Sequence, residues 1–314
     1  MKRQNYLYLT GGLGNQLFQW SASFACGGQT ELIIDMKNGN PRSNDGGLPD
    51  LLEFELPSGN NLVANKMPWI TSKAIGYSLR SHITPRGIEK YSQTLTLVRL
   101  VTSVLISFHF KRVVRLRVAK GLGFDPDFSL KKGHNYLVGY FQSFRWPDQI
   151  DRKKITQIQL KNSSDTVEFY RSLARIEMPL VVHVRLGDYL AEGGFGVPNT
   201  SYYQSAIDTQ LNSYPYKKIW LFSDEPDKAL ELLPKELPVE LRVITVDGVS
   251  PAETLEIMRM GCGYVIGNST FSWWGAYLSY NAHSKVFYPS PWFQSLGAPN
   301  SLTPDEWTGL NANY

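Results

Sequence analysis

Short apolar, β-branched runs recur along the chain. Each ends in glycine or a polar cluster and is followed by a stretch with helical spacing. Tyr6 to Thr10 predicts a first strand, Gly11-Gly12-Leu13-Gly14 a tight loop, and Asn15 to Cys26 an apolar-aromatic helix stopped by Gly27-Gly28. Glu31 to Asp35 predicts the second strand, completing a βαβ opening. Residues 36–75 are turn-rich. Leu95 to Phe110 is largely apolar apart from Arg99 and predicts a buried helix. Tyr91 to Lys120 contains no acidic residue, and Lys111, Arg112, Arg115, Arg117 and Lys120 predict a solvated basic helix behind the buried one. A patch resting on anionic lipid is the other reading of those five residues. Asn135 to Tyr140 reads as a strand, Lys153 to Lys161 as a linker, and Ser163 to Arg175 as a helix capped near Ser164 or Asp165.

From Pro179 the rhythm is regular. Pro179-Leu180-Val181-Val182-His183-Val184 predicts a buried parallel strand that runs into Arg185, Asp188 and the Gly-rich stretch 192–196. Helices at 201–212, 227–233 and 251–260 alternate with strands at 218–222, 241–246 and 263–266, and a last strand is expected at 285–288. Such alternation means a parallel, doubly wound sheet. The predicted class is α/β, GT-B-like: two Rossmann-like domains facing across a cleft. Residues 1–158 form an acceptor-side domain and 159–290 a nucleotide-sugar domain, with 291–314 as a tail packing back on the first.

Composition narrows the function classes. The chain has 314 residues, 42% hydrophobic and 19% charged, as in ordinary globular proteins. A net charge of +4 suits a small anionic ligand and falls short of a nucleic-acid footprint. The two cysteines, Cys26 and Cys262, have no metal or redox spacing and read as reduced core residues. No apolar run is long enough to span a bilayer. With no room for a signal peptide before the first strand, a cytoplasmic location is expected.

Candidate chemistry gathers at strand ends. His183 and Arg185 alternate, so they leave the strand on one face, and a guanidinium beside an imidazole and a carboxylate suits an anion. A structural Arg185–Asp188 ion pair is the plainer alternative. Gly267-Asn268-Ser269-Thr270-Phe271-Ser272 offers hydroxyls and free N–H groups before a helix, an anion site or an ordinary N-cap. Asp224 and Glu225 end another strand and could bind a base or ribose, or cap the next helix. Glu253 and Glu256 sit in first turns where acids are favoured in any case. Gly12, Gly14 and Asp35 imitate a dinucleotide fingerprint, yet Leu17 occupies its third glycine position. Asp125-Pro126-Asp127 spells D-x-D, which ligates metal in some glycosyltransferases; beside Gly123 and Phe124 it reads as a turn.

Four blocks in chain order resemble the α-1,2-fucosyltransferases of glycosyltransferase family 11: residues 11–19 (GGLGNQLFQ), 139–143 (GYFQS), 183–189 (HVRLGDY) and 268–275 (NSTFSWWG). The resemblance implies a GT-B fold and an inverting reaction with no metal or other cofactor. It also implies GDP-β-L-fucose as donor and a terminal β-galactoside, fucosylated at O2, as acceptor, in surface polysaccharide or oligosaccharide synthesis. Carried over residue by residue, Arg185 contacts the donor pyrophosphate, with His183 and Asp188 completing its block. Asn15 and Gly14 lie near the donor phosphates, and Asn268 to Ser272 form a second donor loop. Leu186 stands where the family has a second arginine, and Thr254 where it often has an acid. Glu253 is the neighbour that could substitute in guanine recognition, and Asp224 joins the donor set. Gln142 and Asp45 are assigned to the acceptor side; Asp188, His183, Asp45 or Asp50 could act as base, or the leaving phosphate could take the proton. Peripheral membrane contact through the 111–120 cations would suit a lipid-linked acceptor. Three rivals remain: another GDP-sugar or linkage, a nicotinamide-dependent oxidoreductase, and a non-catalytic glycan-binding module.

Overall fold

The computed structural model of the chain describes residues 4–27, 31–35, 49–57, 61–63, 68–83, 92–156, 158–187, 189, 194–245 and 248–314. Asp45 and Asp188 lie outside these residues. The chain divides into two α/β units, Met1–Gln159 with Pro299–Thr303, and Leu160–Ala298 with Pro304–Tyr314.

The first unit carries β1 (Gln4–Tyr8), β2 (Glu31–Asp35), β3 (Phe54–Glu55), β4 (Asn61–Val63), β5 (Val114–Val118) and β6 (His134–Val138). Its main sheet has the order β4-β2-β1-β6-β5, and every pairing in it is parallel. The chain fills one side of β1 first and then crosses to the other, so the topology switches between β1 and β6. Its long helices are α1 (Leu13–Gly27), α2 (Trp69–Ile83) and α3 (Ser92–His109). Leu17, which displaces the third fingerprint glycine, is fully buried; α1 therefore packs through bulk where a dinucleotide-binding helix needs close approach.

The second unit follows the short β7 (Gln159–Leu160) with β8 (Leu180–Val184), β9 (Lys218–Ser223), β10 (Glu240–Val243), β11 (Gly263–Val265), β12 (Val286–Ser290) and β13 (Thr308–Asn311). All pairings of the sheet β10-β9-β8-β11-β12-β13 are parallel. All five residues of β8 are buried, which is why its sequence is unbroken Leu and Val around one histidine. The helices are α4 (Asp165–Glu177), α5 (Thr200–Ser213), α6 (Pro226–Glu231), α7 (Pro251–Met258) and α8 (Thr270–Tyr277). Ser164 caps α4, as expected, by accepting from Val167 N. Here the sheet switches between β8 and β11. Ligands of open α/β sheets bind at the carboxyl edge of such a point.

Four expectations change. The basic segment is not a second helix: Val114–Val118 is an edge strand, in which buried Val114 and Leu116 alternate with Arg115 and Arg117. The preceding helix α3 is not buried all round, since Leu97, Leu100, Val104 and Phe108 are exposed. Of the tail, only Pro299–Thr303 belongs to the first unit; β13 instead extends the second sheet by pairing with β12. A helix at Trp69–Ile83 also begins inside the stretch read as turns.

Candidate active site

Register builds the second unit's site. Val184 of β8 lies opposite Ser223 of β9, so Arg185 and Asp224 leave neighbouring strands at one level. Their side chains form an ion pair, Arg185 Nη1 to Asp224 Oδ2 at 3.2 Å. The other oxygen, Oδ1, accepts from Leu186 N at 3.0 Å. Gly187 makes room for this carboxylate, because a β-carbon there would overlap Asp224 Oδ2. Asp224 thus helps hold Arg185 in place, and the Arg185–Asp188 pair considered from sequence lies outside the described residues. Both charged side chains keep about a quarter of their surface exposed (26% and 23%), so the guanidinium is oriented and still reachable. Leu186 is buried in the unit's core and supplies no second charge.

His183, one residue inside the strand, is buried, and its Nδ1 has no hydrogen-bond partner. Burial, reinforced by the Arg185 charge and opposed by Asp224, pushes its pKa down to about 3. It is therefore a neutral imidazole at ordinary pH and a poor general base.

On the other side of the switch point, Val265 of β11 pairs with Val182, which carries Gly267 and Asn268 level with the exit of β8. The approach is close: a β-carbon on Gly267 would sit 3.2 Å from His183 O and 3.7 Å from Arg185 N. Asn268 is buried; its Nδ2 donates to Phe195 O at 3.1 Å, Gly196 O at 2.9 Å and Tyr314 Oη at 3.3 Å. Tyr189 Oη donates to Asn268 O. Ser269 caps α8 by accepting from Phe271 N, and Ser272 Oγ donates back to Ser269 O. Thr270 and Phe271 open the helix half-exposed, and the Phe271 ring lies 6.4 Å from that of His183. Sequence reasoning missed Tyr314, which ties this loop to Trp292 O at 2.6 Å; an isolated aromatic carries no signal of that role.

Glu253 is engaged in a capping box, accepting from Ser250 N while Ser250 Oγ accepts from Glu253 N. This is the helix-terminus role expected of a first-turn acid. Glu256 lies with buried Arg259 at 2.8 Å and also pairs with Arg171.

The first unit repeats the arrangement with amides. Gly11, at φ +79°, turns the chain after β1. A β-carbon there would press on Asn15 Nδ2 at 2.8 Å. Gln16 Nε2 donates to Gly11 O and its Oε1 accepts from Leu51 N, while Gln19 bonds both backbone groups of Thr10. These glutamines fix the loop, and Gly14 is buried beneath it. Asn15 remains half-exposed and accepts from Gln142 Nε2 at 2.9 Å. Gln142 follows Phe141, which is held at φ +56° by burying its ring against Phe128 and Trp146. Gln142 Oε1 is buried with no partner. Asp50, also buried, opens the 3₁₀ turn that carries Leu51.

Among the described residues no group of three or more His, Cys, Asp or Glu could hold a metal ion. Asp125 forms the turn its sequence suggests, accepting from Lys120 N and Asp127 N. Cys26 and Cys262 are half-buried free thiols.

Comparison with known proteins agrees with the blocks. The profile "Glycosyl transferase family 11" matches residues 73–311. The O-antigen biosynthesis glycosyltransferase WbnK of Escherichia coli is 26% identical, over 97% of this chain and all of its own length. An α-1,2-colitosyltransferase of Escherichia coli is 23% identical over 96% of this chain and 97% of its own. Among solved structures, fucosyltransferase NodZ from Bradyrhizobium aligns at 13% identity over 90% of this chain and 97% of that one, with a TM-score of 0.45. POFUT1 in complex with GDP aligns at 11% identity over 91% and 98%, with a TM-score of 0.47. With more than half the chain matched by one profile, and three of the four sequence blocks inside it, this protein belongs to glycosyl transferase family 11.

Proposed function

We propose that this glycosyltransferase moves L-fucose from GDP-β-L-fucose to O2 of a terminal β-galactoside, inverting the anomeric centre without a metal ion, in the assembly of a surface glycan. One observation carries the reading: Arg185, oriented by Asp224, stands level with the Gly267–Ser272 loop and the start of α8 at the switch point of one sheet. A cationic fork beside helix N–H groups suits a diphosphate. The relative named for O-antigen biosynthesis supports the surface-glycan setting.

In this reading fucose leaves through an oxocarbenium-like transition state, and negative charge grows on the β-phosphate. Arg185 and the N–H groups at Ser269 to Phe271 stabilise that charge, and one such preorganised donor is worth on the order of 3 kcal/mol. His183 stays neutral beside them. The acceptor proton passes to Asp188 or to the departing phosphate, and an Asp188→Asn enzyme separates these routes. Asn15 and Gln142 hydrogen-bond uncharged sugar or phosphate oxygens. A related GDP-sugar is the second reading, favoured by the colitosyltransferase relative.

The test is a turnover assay of GDP-fucose and other GDP-sugars with a panel of β-galactosides, read by GDP release, with the product linkage set by NMR. An α-1,2-fucosylated product is expected, formed equally in excess EDTA. Transfer only from a different GDP-sugar, or a different linkage, overturns the assignment.

A further inference from the structure

Helix α3 is inside out. Its hydroxyls face the sheet: Ser107 Oγ accepts from Val114 N at 2.9 Å, Ser103 Oγ accepts from Leu116 N at 3.1 Å, and Thr102 is fully buried. Ile106 is buried with them in the core, while a second set of apolar residues faces water. Leu97, Leu100, Val101, Val104 and Phe108 are 50 to 86% exposed, and their spacing places them on one stripe. A soluble helix with free choice of face would bury this stripe. Val113, just beyond the helix, is 70% exposed as well, and α2, packed on α3, exposes Trp69 and Ile70.

The charges that the helix and the segment after it carry have one sign. Lys111 and Arg112 are exposed directly after the helix, and Arg115 is exposed on the edge strand. No acidic residue occurs from Tyr91 to Lys120. Not all five cations read from the sequence contribute equally. Lys120 pairs with Asp127 at 2.9 Å, Arg117 Nε donates to Ser129 O and Arg115 Nη1 donates to Lys132 O, so the rim of the stripe is chiefly the exposed Lys111 and Arg112.

We propose that α3 lies on an anionic phospholipid bilayer, with Leu97, Leu100, Val104 and Phe108 in the acyl boundary and Lys111 and Arg112 on the headgroups. An apolar stripe bordered by cations is the pattern of an interfacial helix, and anionic headgroups complement the rim. A second copy of the chain would bring a like-charged rim instead. The helix does not span the bilayer: no described helix is long and apolar enough to do so. The site chemistry of the proposed function is not needed for this inference.

The experiment is flotation of the full chain with vesicles of phosphatidylcholine alone and with three-tenths phosphatidylglycerol. Binding to the anionic vesicles is expected, falling tenfold or more in the double variant Leu100→Ser, Phe108→Ser. The pair Lys111→Glu, Arg112→Glu should reduce binding to the level on phosphatidylcholine alone. Both variants should keep the parent melting temperature, because the altered side chains are exposed. Absence of parent binding, or binding untouched by the substitutions, overturns the proposal. A dimer in analytical ultracentrifugation that Leu100→Ser, Phe108→Ser dissociates would assign the face to a second copy and overturn it too.

Discussion

The two units solve the same positional problem with different chemistry. Each sheet starts from its centre, switches direction once, and places two of the four sequence blocks at the exits beside the switch. In the first unit those exits carry Asn15 and Gln142, joined amide to amide. In the second they carry Arg185 with Asp224, and the Asn268–Ser272 loop. Amides recognise hydroxyls and neutral oxygens; a guanidinium recognises an anion. The difference predicts that charge development is handled by the second unit and sugar positioning by the first. Substitutions on the two sides should therefore fail in different kinetic parameters.

The largest effect is expected at Arg185. Arg185→Ala should lower kcat/KM by 10²-fold or more, on the order of 3 kcal/mol of transition-state stabilisation. Arg185→Lys should recover little, since the ammonium lacks the planar fork. GDP affinity by calorimetry should fall with it. Near-normal turnover in the lysine enzyme would break the division of labour at its strongest point. Next comes Gly187→Ala, whose new β-carbon overlaps Asp224 Oδ2. Displacing the carboxylate loosens one contact that orients Arg185, and a loss of about tenfold in kcat is expected. Asp224→Asn should resemble it, because the amide keeps the shape and loses the charge. If Asp224→Asn changed only KM for the acceptor, Asp224 would be a substrate contact instead of a positioning residue.

A third test uses pH. His183 is held near 3 when folded and titrates near 6.5 when unfolded. Between those values the unfolded chain binds more protons, so the folded state loses stability as pH falls from about 6.5 toward 3. The slope from one such group is at most about 1.4 kcal/mol per pH unit. Glu177, lowered by Arg242 and Trp220 against the opposing effect of burial, contributes in the same direction, so the informative quantity is a difference. A His183→Asn chain should show a shallower decline of melting temperature on acidification than the parent. Parallel declines would place His183 in contact with solvent.

The second unit was nearly legible from sequence because its signals are local. Leu180–Val184 is too uniformly apolar for anything but a central strand, and Ser269 announces its helix by standing before it. What stayed hidden depends on register. No spacing rule joins Arg185 to Asp224 across 39 positions. Glu253 is ambiguous for a related reason: an acid at the third helical position serves a capping box and a ligand equally well, and only the structure shows that Ser250 uses it. The first unit was harder. Its helix α3 reads as core because hydropathy counts apolar residues without knowing which face the sheet will take, and there Ser103 and Ser107 took it. The strand Val114–Val118 was concealed by two arginines whose alternation signals an exposed edge as well as a basic helix.

The smallest effect, and the sharpest test of the contrast between the units, lies at Asn15 and Gln142. Their mutual bond is neutral and partly exposed, so it should contribute about 1 kcal/mol. Asn15→Ala leaves Gln142 Nε2 without that acceptor, and Gln142→Ala removes the donor. If the pair acts as one unit, the double variant should cost little more than either single one, with a coupling of about 0.5–1 kcal/mol. The kinetic signature matters more than the size. Uncharged contacts that hold sugar in ground and transition states alike should raise KM with kcat nearly constant, the reverse of what Arg185 is expected to show. A fall in kcat for Asn15→Ala as large as that for Arg185→Ala would mean that the amide meets the developing charge itself. The two switch points would then share one task, and the separation of anion from hydroxyl recognition between the units would be lost.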